Sequence, residues 1–285
     1  MSSDCPIFVV GTGRCGSTIV DSMLSMHPEM SWMPSWVATS GGYPIFAFAN
    51  RIWDLSFLDP YRVSRFFPTP VEPYETFSRI CRHFRREDAA DEVVEEAREK
   101  LVPLIENIVR YHGKPRYLGK LVGRPVKIEL FAKLFPDARF VHVTRQLKPT
   151  LSSLLKVDFY TGWESIDEWP WGTIPEDQLQ YYQSRGKSEV AGVAVRLHLN
   201  KVEVERQLEL IPPDQRMDVA YQDFVRDPVE SLTGITEFAG LSMGPEYTSR
   251  IRARKVYAGA DEKWMTHLNE DQIRDLDEFE KRFGY

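Results

Sequence analysis

Residues 7–18 read Ile-Phe-Val-Val-Gly-Thr-Gly-Arg-Cys-Gly-Ser-Thr, and no other segment limits the fold as strongly. A continuous apolar run, typical of a strand buried on both faces, leads into a glycine-rich turn. From Ser17 the apolar residues Ile19, Val20, Met23, Leu24 and Met26 fall at helical spacing. Strand, tight loop and helix in this order, with the spacing Gly11-x-x-x-x-Gly16-x-Thr18, are the parts of a phosphate-binding P-loop, G-x-x-x-x-G-K-[ST]. Ser17 stands where a nucleoside triphosphatase has its lysine. That lysine reaches the β- and γ-phosphates, so its replacement points to a ligand without a γ-phosphate. The loop keeps its converging backbone N–H groups and a helix N-terminus that favours negative charge. Arg14 adds a cation at the crown. A plain strand-to-helix turn is the bland alternative, and the correctly placed strand and helix weigh against it.

At 285 residues, with 42% hydrophobic content, the chain is read as a single domain, residues 1–285. A formal net charge of −6 argues against a nucleic-acid partner, which needs a basic face, and against a polyanionic glycan. Three cysteines, Cys5, Cys15 and Cys81, form no disulfide framework. Cys15 reads as a small residue at a tight turn rather than a nucleophile. The N-terminus lacks the pattern of a signal peptide and no apolar run is long enough to span a bilayer. The expectation is a soluble, cytoplasmic protein whose oligomeric state stays open.

Further strands are expected at Tyr117–Val122, Arg139–Thr144 and Met217–Ala220. Helices are expected over 88–111 with a stop at Gly113, from Pro125 to about Phe135, from Pro149 or Thr150, and over 176–210 with a break at Gly186. Asp227-Pro228-Val229-Glu230 and Asn269-Glu270-Asp271-Gln272 each carry the pattern of a capping box. The first helix should end at His27-Pro28. Strands alternating with helices predict an α/β fold: a P-loop-like three-layer α/β/α arrangement with a central parallel sheet and helical, aromatic-rich insertions. Residues 29–80 and 157–172 are those insertions. They read either as core under irregular connections or as the wall of an acceptor pocket.

The strand Arg139–Thr144 ends in Arg145, where an ATPase would need a carboxylate for magnesium. A cation there suits a second phosphate held without metal. These residues together resemble the family of sulfotransferases that use 3′-phosphoadenosine 5′-phosphosulfate (PAPS), in its bacterial-type branch. The loop at 11–18 with His27-Pro28 resembles that family's 5′-phosphosulfate loop. Arg145 followed by Ser153 resembles its 3′-phosphate clamp, and Phe135-Pro136-Asp137-Ala138-Arg139-Phe140 its approach to that strand. Tyr221-Gln222-Asp223-Phe224 resembles the strand end whose tyrosine approaches adenosine. Arg254-Lys255, then Gly259 and Trp264, is a looser echo of the segment covering the 3′-phosphate.

The resemblance implies a donor site of Thr12, Gly13, Arg14, Cys15, Gly16, Ser17, Thr18, Arg145, Ser153, Tyr221, Arg254 and Lys255, with no metal. Arg14 and Lys120 are the catalytic candidates, stabilising charge on the transferred group and the leaving oxygen. The implied reaction moves a sulfuryl group from PAPS to a hydroxyl of a small, hydrophobic or aromatic acceptor. A P-loop small-molecule kinase and a non-catalytic nucleotide-binding module are the alternatives. Gly119-Lys120-Leu121 and Ser31-Trp32-Met33 stand where many relatives place a glutamate, so the resemblance assigns no general base. His27, His112, Asp158 and Glu164 are candidates, with His142 read as a buried mid-strand residue. Trp36, Trp53, Phe159 and Trp163 are the expected acceptor wall.

Overall fold

The computed structural model describes residues 5–54, 67–86, 88–123, 125–157, 166, 173–254, 256 and 261–285. Five strands, β1 (Ile7–Gly11), β2 (Met30–Trp32), β3 (Arg116–Val122), β4 (Arg139–Thr144) and β5 (Arg216–Ala220), form one sheet. All pair in parallel, in the order β2-β3-β1-β4-β5. β1 is central and buried at every position. Gly11 at its end pairs with Val122 of β3 on one side and Val143 of β4 on the other. The chain leaves β1 toward β2 and later returns to lay β4 on its other side. That reversal opens a crevice beyond the C-terminal end of β1, where ligands of open α/β sheets bind.

Before β4 run α1 (Ser17–Leu24), α2 (Ser35–Thr39), a 3₁₀ stretch Pro44–Asp54, α3 (Tyr74–Ile80), α4 (Asp91–His112) and α5 (Ile128–Leu134). After it come α6 (Leu147–Leu154), α7 (Glu176–Ser184), α8 (Glu189–Glu209), α9 (Tyr221–Arg226) and α10 (Pro228–Phe238). The C-terminal part adds α11 (Pro245–Ala253), α12 (Trp264–His267) and α13 (Glu270–Phe283). No helix among the described residues is long and apolar enough to cross a membrane.

The alternation of β1 sorts its side chains between two cores. Phe8 and Val10 pack with α4 and α5, while Ile7 and Val9 pack with α1, α10 and α11. The sheet is therefore the middle of three layers, as expected. A third core joins α6, α7, α8 and α13. The two capping boxes behave differently. Asn269 and Gln272 complete theirs reciprocally at α13, whereas at α10 Asp227 accepts from the Glu230 amide and Pro228 takes the first helical position. Gly186, in the left-handed region at φ +63°, separates α7 from α8.

Several boundaries differ from expectation. β2 is too short to show a period, and its pairing with β3, not its sequence, makes it a strand. α1 ends at Leu24, ahead of His27-Pro28. The helix expected from Pro125 begins at Ile128, because Val126 and Lys127 are drawn into the core: both are buried, and the Lys127 ammonium donates to the Arg86 carbonyl. α6 begins at Leu147, two residues before Pro149. Trp53 belongs to the core. It is 4% exposed, packs edge-on against Phe67, and its indole N–H donates to the Pro68 carbonyl at 2.7 Å.

Phe131 sits between the sheet and α3, with ring centroids 4.8 Å from Phe8 and 5.8 Å from Phe77. Phe131→Ala is expected to cost roughly 3–5 kcal/mol in denaturant-induced unfolding, by lost burial and the cavity left behind. A loss below about 1 kcal/mol would mean this face of the sheet repacks freely.

Candidate active site

The loop after β1 is held in a rare backbone conformation. Arg14 has φ +66° and Gly16 has φ +99°, both left-handed. Successive turns of this kind aim backbone N–H groups into one concavity that suits an anion. Gly16 caps α1 and has no side chain to bond the first amides of the helix, while the Cys15 thiol beneath the loop lies against Ser17.

Glycine at position 16 is required twice. Besides its φ, a Cβ there would lie 2.1 Å from the Tyr221 ring. Tyr221 opens α9 directly after β5, and the Arg145 guanidinium lies 4.4 Å from the centre of its ring. Arg145 Nη1 donates to the Arg14 carbonyl at 3.1 Å, and Arg14 Nε donates to Ser153 Oγ of α6 at 3.0 Å. Loop, β4 end, α6 and β5 end are thus locked in one stack.

Lys120 enters from β3, in register with Val9. Its Nζ donates to Thr18 Oγ1 at 3.2 Å and pairs with Glu72 at 3.5 Å. Burial pushes the Glu72 carboxyl above its ordinary range, with the Lys120 charge opposing. One turn beyond Thr18, Asp21 is buried on α1. Burial raises its carboxyl to about 7, Lys120 lowering it and Glu72 adding to the rise.

Around these groups lies a cavity of about 750 Å³. Gly13, Arg14, Gly16, Ser17, Thr18, Lys120, Arg145, Ser153, Tyr221 and Arg254 line it, bringing together most of the expected site. Thr12 and Cys15 do not line it. The Thr12 hydroxyl is engaged with the Tyr285 phenol oxygen, and the Cys15 thiol is buried in the core beneath the loop. Burial raises the Cys15 thiol, which keeps it protonated. Both residues support the loop from below. Lys255 lies outside the described residues.

The base and wall candidates fare less well. His27 is buried: Nδ1 accepts the Glu29 amide, so Nε2 donates to the Ser242 carbonyl at 3.1 Å, and the ring meets Tyr247 edge-on. It is a packing residue whose imidazole burial holds neutral. His112 is likewise buried, against Trp32, and driven well below the usual imidazole range. Neither lines the cavity. His142 is buried as expected and bonds Asp218 at 2.8 Å. Trp53 is core and Trp36 is surface-exposed away from the cavity lining, so neither is a wall. Asp158, Phe159, Trp163 and Glu164 lie outside the described residues.

Sequence reasoning missed Glu72, Lys156, Lys263 and His267, all of which line the cavity. Glu72 has no local signature. Residues 69–71 reach it because Ser35 N donates to the Thr69 carbonyl and Val71 N to the Met33 carbonyl, an antiparallel contact across Pro34 and Pro70. Among the described residues the lining carries six cations, Arg14, Lys120, Arg145, Lys156, Arg254 and Lys263, against the single carboxylate of Glu72. In a chain of net charge −6 this is a local inversion of sign, and it suits a ligand with several negative charges.

A model of the sulfotransferase family matches residues 6–245. No curated protein sequence matches the chain. Among solved structures the fold is similar to that of sulfotransferase STF9 from Mycobacterium avium, at 17% identity and TM-score 0.56, over 99% of this chain and 78% of that one. It is also similar to sulfotransferase STF1 from Mycobacterium tuberculosis H37Rv, at 15% identity and TM-score 0.53, over 98% and 76%. The sulfotransferase domain of the Synechococcus PCC 7002 olefin synthase shares 15% identity at TM-score 0.51, over 100% of this chain and 96% of that one.

Gly16→Ala should destabilise the chain by roughly 2–4 kcal/mol, the sum of a left-handed backbone penalty and a clash with Tyr221. In a Tyr221→Ala background the clash is gone, and the cost should shrink to about 1–2 kcal/mol. Thermal unfolding of the four proteins checks this, and equal costs in both backgrounds would place the Tyr221 ring elsewhere.

Proposed function

The chain belongs to the sulfotransferase family, and we propose that it moves a sulfuryl group from PAPS to a hydroxyl of a small acceptor with an apolar body. The observation that carries this reading is the cation-lined cavity at the P-loop, where Arg14 and Arg145 are joined through a backbone hydrogen bond. In this reading the loop amides, Arg14 and the Ser17 and Thr18 hydroxyls hold the 5′-phosphosulfate. Arg145, Ser153, Arg254 and Lys255 hold the 3′-phosphate, and Tyr221 meets the adenosine. Lys120 faces the bridging oxygen.

The acceptor oxygen would attack sulfur in line as the bond from sulfur to the phosphate oxygen breaks, releasing adenosine 3′,5′-bisphosphate (PAP). Such a step draws on positioning and on charges placed where the leaving oxygen becomes negative. The hydroxyl proton needs a base, and among the described residues Glu72 is the carboxylate on the cavity wall. Its ion pair with Lys120 places it beside the loop, and its burial raises its proton affinity. Ile19, Val122 and Val157 supply an apolar surface to the same cavity, which favours an acceptor with a hydrocarbon or aromatic body.

A kinase is the competing reading, and Ser17 in place of lysine with Arg145 at the end of β4 speaks against it. At concentrations about a hundredfold above Kd, PAP should raise the melting temperature by about 5–10 °C without added metal. ATP with magnesium should leave it nearly unchanged. The reverse pattern would replace the sulfotransferase donor with a triphosphate.

Glu72→Gln should lower kcat roughly a hundredfold or more while PAP affinity stays within about twofold. The base must be ionised to accept a proton, and its carboxyl is raised. Activity of the unaltered protein should therefore fall as pH drops through that raised value, and the acid limb should vanish in the variant. An unchanged pH–rate profile would assign the proton to another group.

A further inference from the structure

Arg145 is tied down from several sides. Its Nε donates to Asp261 Oδ1 at 2.7 Å, and its Nη2 lies 2.6 Å from the same oxygen in an ion pair. Its Nη1 donates to the Arg14 carbonyl, and its face lies on Tyr221. The two side chains are 7% and 21% exposed, so solvent screens their attraction weakly. Asp261 does not itself line the cavity, and it meets Arg145 on the edge of the guanidinium. Arg14, beside it, has no carboxylate partner among the described residues and hydrogen-bonds only a serine. One of two neighbouring anion-facing arginines thus carries a built-in counter-charge, and the other does not.

We propose that Asp261 sets how tightly the 3′-phosphate is held, acting as a counter-charge on Arg145 that lets the bisphosphate product leave. This rests on the reading of Arg145 as a 3′-phosphate ligand. The 3′-phosphate is remote from the reacting sulfur and is the same group in PAPS and in PAP. Holding it more tightly stabilises donor and product alike, so it lowers KM without accelerating the chemical step. In a cavity whose described lining carries six cations the bisphosphate product is at risk of staying bound, and product release then limits turnover. A carboxylate on the edge of Arg145 reduces the field at the phosphate. It does so without touching Arg14 or Lys120, which serve the transferred group. The same contact also fixes the orientation of the guanidinium, and a role limited to orientation predicts the opposite effect on affinity.

Asp261→Asn and Asp261→Ala, each first shown to melt cooperatively near the temperature of the unaltered protein, decide between the two. Calorimetric titration would use PAP and, as the control lacking the 3′-phosphate, AMP. The proposal expects PAP to bind about five- to tenfold more tightly to either variant, a coupling of ordinary size between neighbouring charges. AMP affinity should change by less than about twofold, the control having no group at Arg145. Under steady state, kcat should fall together with KM for PAPS, because release slows. Weaker or unchanged PAP binding in both variants overturns the proposal and leaves Asp261 an orienting residue. An unaltered protein that binds AMP as tightly as PAP fails one step earlier, by removing the 3′-phosphate from Arg145 and the donor reading with it.

Discussion

The contact of the Tyr221 ring with Gly16 is the constraint on which the site depends. It joins the first strand–loop–helix unit to the far side of the sheet. A side chain at position 16 would push the ring away, and the ring is the surface on which Arg145 lies. Arg145 in turn holds the Arg14 carbonyl, which keeps the crown of the loop in its left-handed turn. Backbone strain at Arg14 is thus matched by contacts from two other strands, the usual condition for strain to persist at a functional site. These contacts hold the loop in a turn of the kind that aims backbone amides into one concavity.

Electrostatics follow from the same geometry. Arg14, Lys120 and Arg145 arrive from the loop, β3 and β4, and the parallel sheet delivers all three to one end. Like charges at close range repel, and the described structure handles each differently. Lys120 is paired with Glu72, Arg145 with Asp261, and Arg14 rests on a serine hydroxyl. The carboxylates partly cancel the field without abolishing it, so the cavity stays positive in an acidic chain. Burial holds Glu72 and Asp21 above the ordinary carboxylate range, with the charge of Lys120 opposing the rise in both.

The lower half of the loop belongs to the core rather than to the cavity. Cys15 is packed against the sheet, and the Thr12 side chain is engaged by the Tyr285 phenol. The cavity face presents Gly13, Arg14, Gly16 and Ser17 instead. A tight turn has two sides, and only one of them can face a ligand. The spacing of a phosphate-binding motif names both sides without telling them apart.

Local chemistry in the sequence determined the parts with short-range causes. The apolar run of β1, the glycine spacing of the loop, the stop at Gly113 and the Asn269 capping box are read within a few residues of themselves. So are the α/β class and the arrival of Arg145 at a strand end. Tertiary structure decided whatever depends on pairing between distant segments. β2 is a strand only because β3 lies beside it, and Trp53 is core because a layer closes over it. Glu72 and Asp261 carry no motif. They reach the site through the contact across Pro34 and Pro70 and through the ion pair with Arg145. A carboxylate's role is set by what surrounds it in three dimensions, and desolvation and charge pairing leave no period or spacing along the chain.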